Sequence, residues 1–168
     1  MAKKKQVRAK SAISGKKKVE TGKSYIAIPQ LRKAFVVVDN FTVGDESLFS
    51  YVDDDVATFC GRSVKPRPGY KIVSCMLHEE LDDTEARAML SGAQAIDLAA
   101  IRHLISLQPR GGRIGTLSVA GEANVFILAG GRAEVVWDGG TGWGIWVFKG
   151  KSQTKWPEGT KWFGRMRA

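Results

Sequence analysis

The sequence predicts a β-rich α+β domain, an antiparallel meander plus one long central helix, with a flexible basic N-terminal arm. Three observations lead there. Nineteen glycines fall largely in short clusters between apolar runs, the pattern of tight turns joining short strands. One long stretch has apolar residues at three- and four-residue steps. The charge is also segregated. Residues 1–24 carry nine Lys/Arg against one acid, residues 25–143 carry 11 against 15, and residues 144–168 carry six against one. The net charge of +9 therefore sits at two ends around a mildly acidic body. Three segments follow: an arm over 1–24, a β-rich domain over 25–150, and a basic aromatic tail over 151–168 packed on that domain.

The arm contains Lys, Ser, Gly and Ala with almost nothing that could pack, its larger apolar residues being Met1, Val7, Ile13 and Val19, so little burial offsets the entropy of ordering it. Lys3, Lys4, Lys5, Arg8, Lys10, Lys16, Lys17 and Lys18 are its candidate contacts to a phosphate polymer or another acidic surface. The two lysine triplets are spaced like a bipartite nuclear import signal, and residues 1–19 lack acids as mitochondrial presequences do. Any lysine-rich arm produces both patterns, and a solvated arm that touches an anionic partner requires neither.

The folded part is expected to begin near Tyr25. Ala34-Phe35-Val36-Val37-Val38 reads as a strand buried on both faces. Residues 48–52 and 56–60 read as strands flanking Asp53, Asp54 and Asp55, and 70–77 as a further strand. The Pro68-Gly69 step signals a turn. A hairpin centred on Arg67 and Pro68 would place Cys60 opposite Cys75 within disulfide reach; two small buried thiols are the simpler expectation. With only these two cysteines, neither a disulfide scaffold nor a cysteine zinc site is expected.

Asp82 and Glu85 have capping-box spacing at the start of the helix. From there Met89, Leu90, Ala93, Ile96, Ala100, Ile101, Leu104 and Leu107 carry the helical period to Pro109, with Gly92 as a site for a kink. Runs at 114–119, 124–129, 133–137 and 144–148, separated by glycine-bearing turns, predict a four-stranded meander. A last short strand is expected near 161–164.

The tail interleaves aromatic and cationic residues. Trp156 and Trp162 lie among Lys149, Lys151, Lys155, Lys161 and Arg165, the combination that stacks bases and tracks phosphates in single-stranded nucleic acid. Trp143, Trp146 and Phe148 belong to a strand apolar on both faces, which suits a sandwiched core, contact with a protein partner, or base stacking. Arg110 and Arg113 flank two glycines in a loop able to cradle an anion, although the Gly-Lys-Ser/Thr ending of a P-loop is missing. His78, Glu79, Glu80, Asp82 and Asp83 invite a metal or acid–base reading, but their spacing matches no metal-site pattern. Acids there favour the positive helix N-terminus. His103 lies among helical apolar residues and reads as a packed side chain. No Gly-x-Ser-x-Gly elbow is present.

No cofactor and no metal are expected. No apolar run reaches the roughly 18 residues of a membrane span, and no apolar stretch follows the basic start as in a signal peptide. The expected setting is intracellular: cytoplasm, nucleus or virion. The sequence points to a non-enzymatic structural protein that assembles a nucleic-acid-containing particle, of virion or ribonucleoprotein type, and self-associates. The alternatives are a monomeric nucleic-acid binder without sequence specificity and a small metal-dependent hydrolase or nuclease.

Overall fold

The computed structural model describes residues 22–44, 47–112, 115–153 and 155–167. In chain order the elements are β1 (Ser24–Ile28), β2 (Phe35–Val36), α1 (Val37–Asn40), β3 (Phe49–Val52), α2 (Asp55–Cys60), β4 (Ser63–Val64), β5 (Tyr70–Met76), α3 (Asp83–Met89), α4 (Leu98–Ser106), β6 (Asn124–Leu128), β7 (Gly131–Asp138), β8 (Gly142–Lys149) and β9 (Lys161–Arg165). Seven strands form one mixed sheet in the order β1-β5-β9-β6-β7-β8-β3, and β2 pairs with β4 in a small separate ribbon. The β6–β7–β8 run is antiparallel, as two glycine turns dictate. The β9 strand lies antiparallel to β5 and parallel to β6, and β3 lies parallel to β8 at the edge.

Period-two alternation gives the sheet two faces. On the first, Ile72, Phe126, Val135, Ile145 and Phe163 meet Leu98, Ile101, Leu104 and Ile105 of α4, together with Val37 of α1 and Val56 of α2. On the second, Val73, Cys75, Val125, Ile127 and Trp162 meet Ala86 and Leu90 around α3, and Trp156. That second cover ends near β7.

The single long helix is not what forms. Its N-terminus is as expected: Asp82 accepts hydrogen bonds from the Thr84 and Glu85 amides, and the Glu85 carboxylate accepts one from the Asp82 amide. But the chain leaves α3 through Ser91 and Gly92, both at positive φ, and Asp97 caps a second helix by accepting from the Ala100 amide. One apolar period spans both helices because each has a core face. They cover opposite faces of the sheet, and the connecting segment rounds it through backbone pairs Gln94–Arg165 and Ile96–Ile127.

Other differences are local. Residues 56–60 belong to α2 instead of a strand, because the Asp53 carboxylate accepts the Asp55 amide and turns the chain into a helix. In the valine run, Val37 is buried while Val36 and Val38 are exposed, and the strand is only the two residues of β2. The strand before the Pro68-Gly69 turn, β4, pairs with β2 instead of β5, so no hairpin opposes the cysteines. Cys60 and Cys75 are free thiols packed against different faces. Leu117 and its described neighbours form no strand; the meander has three members, and β9 joins it from the C-terminal side.

Candidate aromatic and basic interface

On β7 and β8, Ala133, Val135, Ile145 and Val147 turn to the first core, which leaves Arg132, Glu134, Trp146 and Phe148 on the second face. A register shift in β3 aligns Phe49 with Trp143 but Tyr51 with Gly144. Phe49 thereby enters the core while Tyr51 emerges on the second face, 44% exposed. Its ring stacks on Trp146 with centroids 5.0 Å apart and planes at 22°. Gly144 makes this possible, since a Cβ there would overlap the Trp146 ring. Phe148 is also exposed.

Inward from this edge the pattern becomes cation on ring. Arg132 lies opposite Phe148 on the neighbouring strand, its guanidinium 4.5 Å from the Phe148 centroid and 5.3 Å from that of Trp156. Glu134 neutralises it at 2.8 Å. The Trp156 indole donates to the Asp83 carboxylate at 2.7 Å and meets Trp162 edge-on at 5.5 Å. The row thus runs from solvent at Tyr51 to full burial at Trp162.

Against this frame the sequence-derived candidates separate. Lys3, Lys4, Lys5, Arg8, Lys10, Lys16, Lys17, Lys18 and Arg113 lie outside the described residues. Lys149 and Arg110 are exposed. Lys151 donates to the Thr84 hydroxyl, and Lys155 pairs loosely with Glu80 at 3.5 Å in solvent. Lys161 is half-buried and donates to the Thr116 carbonyl at 2.6 Å; burial holds its ammonium below the usual lysine range. Trp162 and Trp143 are fully buried at 0% exposure, and Trp143 donates to the Gln108 carbonyl. Their rings are core. Of the aromatic candidates, Trp146 and Phe148 reach the surface.

The arginine–glycine loop is organised from within. The buried Gln108 side chain donates to the Gly112 and Leu117 carbonyls and accepts from the Leu117 amide, while Gly111, at φ +58°, sits against the Trp137 ring where a Cβ would not fit. In the acidic segment, Asp83 is buried under Trp156 and faces Arg87 at 3.6 Å. Among the described residues no three His, Cys, Asp or Glu side chains converge to hold a metal ion. Burial pushes the thiols of Cys60 and Cys75 up to about 11, which suits inert packing groups. Burial, aided by the charge of Arg67, holds His103 below its ordinary range.

A second basic and aromatic group lies on the first face, at the β5–β9 end. Arg67 grips Asp97 with two contacts at 2.5 and 3.1 Å, and the Tyr70 hydroxyl donates to the same carboxylate at 2.9 Å. The Tyr70 ring lies between two guanidiniums, Arg67 at 4.4 Å and Arg165 at 4.5 Å. Burial alone would raise the Asp97 carboxyl, but hydrogen bonds from Arg67, Ala100 and Tyr70, with the Arg67 charge, hold it below the usual range. Burial and the Asp97 charge push the Tyr70 phenol well up. The sequence signals only Arg165 here, because its partners are far apart in the chain.

Comparison with protein-family models, curated proteins and solved structures finds no match for this chain. Among the described residues no helix is long and apolar enough to cross a membrane.

Proposed function

We propose that the chain is a non-enzymatic assembly protein of a nucleic-acid-containing particle. In this reading the Tyr51–Trp146–Phe148 strip seats a neighbouring subunit, and the basic arm and the exposed lysines near the end of β8 meet nucleic acid. The observation that carries it is the second sheet face, packed over β5, β9 and β6 but exposed at Tyr51 and Phe148 around the β3 edge. Exposed, preorganised aromatic rings beside polar groups have the composition of an interface centre and its rim. The arm's charge supplies a salt-sensitive attraction to phosphates without sequence reading.

Light scattering at low and high salt, with and without a mixed-sequence oligonucleotide, tests both halves. A defined oligomer that Trp146→Ala reduces to monomer supports the strip. Deleting residues 1–21, which stops short of β1, should leave the oligomer but lower oligonucleotide affinity and flatten its salt dependence. If wild-type mass stays monomeric throughout and the deletion leaves oligonucleotide binding unchanged, the assembly reading fails. A monomer whose oligonucleotide binding depends on Trp146 would instead make the strip a base-stacking platform.

A further inference from the structure

We infer that the Tyr70–Arg165 end of the first face is a binding site for a phosphate group. It lies across the sheet from the aromatic strip and does not rest on the function proposed for that strip. A concavity of about 420 Å³ opens there, lined by Pro68, Gly69, Tyr70, Lys71 and residues 165–167. Three of those side chains, Lys71, Arg165 and Arg167, are cationic, and none is acidic. Three other concavities of the molecule each carry an aspartate: Asp97, Asp53 with Asp54, or Asp55.

Like charges do not gather at an unpartnered surface without support, and here the support is visible. Asp97 neutralises Arg67, not Arg165. Tyr70, held by its hydroxyl on Asp97, offers its ring to Arg165 as a platform. Among the described residues Arg165 has no carboxylate and no hydrogen-bond acceptor, and its buried Nε is left unsatisfied. A guanidinium oriented by stacking, with its donors unspent, is preorganised for a planar or tetrahedral oxyanion. Arg167 is exposed beside it, while Lys71, between Tyr70 and Ile72 in β5, rims the concavity from the opposite face of the strand, where its carbonyl accepts the Met166 amide. The concavity has the size of small-ligand sites, so a free phosphomonoester fits as well as one phosphate of a polynucleotide.

The test is an NMR titration of the full chain, following the backbone amides of Lys71 and Met166 and the arginine side-chain Nε–Hε signals, with the Arg165 signal assigned from Arg165→Lys. Inorganic phosphate is added at ionic strength held constant with chloride. Saturable movement of the Arg165 signal and of the neighbouring Lys71 and Met166 backbone amides is expected; read from those amides, affinity should weaken at least about tenfold in Arg165→Gln, as loss of a charge-assisted pair requires. Arg167→Gln, at an exposed position, should weaken it several-fold while leaving the fold's spectrum unchanged. Two further arms identify the source. A nucleoside monophosphate that saturates the signal, with no response to a single-stranded oligonucleotide, assigns a free phosphorylated ligand. An oligonucleotide that moves Arg165 and the Lys71 and Met166 amides, with the amide movement lost in Arg165→Gln, assigns a backbone phosphate. If phosphate, monophosphate and oligonucleotide move Arg165 no more than chloride does, or if both Gln variants bind phosphate as well as wild type, the site does not exist.

Discussion

Two arginine–aromatic sandwiches lie on opposite faces of the same sheet, and they are built to opposite ends. On the second face one guanidinium, Arg132, lies between two rings, Phe148 and Trp156, and its own carboxylate, Glu134, lies 2.8 Å away. On the first face one ring, Tyr70, lies between two guanidiniums, and the single carboxylate, Asp97, serves only Arg67. The first arrangement closes its charge within the protein. The second leaves one cation over. Stacking alone therefore does not say whether an arginine is structural; the count of carboxylates around it does.

Asp97→Ala should break the comparison most severely. It removes the cap of α4, the partner of Arg67 and the acceptor of Tyr70, and should cost about 3 kcal/mol in denaturant unfolding. The same carboxylate gives the fold an acid dependence. Its folded-state pKa lies below the unfolded value, so its contribution is complete above the ordinary aspartate range and is lost as pH falls through the folded value. Asp97→Asn should flatten that acid limb; an unchanged limb would mean that other carboxylates govern it. Next, Glu134→Gln leaves Arg132 nearly buried without its counter-charge and should cost about 1–2 kcal/mol. Arg165→Gln should cost less than about 1 kcal/mol, because it removes a ring contact but no ion pair. If Arg165→Gln destabilises as much as Glu134→Gln, the two sandwiches are alike and the distinction fails.

How much of this the sequence announces depends on range. Local chemistry reads well: the Asp82–Glu85 box starts α3, the Gly130-Gly131 and Gly139-Gly140 turns join β6, β7 and β8, and the 161–164 run is a strand. Misreadings arise where one local pattern serves two structures. The apolar period over 86–107 is continuous, yet the turn at Ser91 and Gly92 sends its halves to opposite faces. The exposed strip was half visible: Trp146 and Phe148 stand out in the tail, but Tyr51 reaches them only through a parallel pairing with distant β3. The Tyr70 group was almost illegible, since residues 67, 70, 97 and 165 share no motif and meet only in the folded chain.

The position of β9 has a consequence for how the molecule is made. It is the latest strand of the sheet in the chain, yet it lies third in the sheet, between β5 and β6. Until residues 161–165 are available, the β1–β5 pair and the β6–β7–β8–β3 group lack the strand that joins them. A nascent chain halted before that point exposes unpaired edges of the kind that aggregate, and closure must wait for contacts across most of the sequence. Synthesis rate and chaperone access while residues 161–165 are still to be made, more than the stability of either half, should set the yield of folded protein.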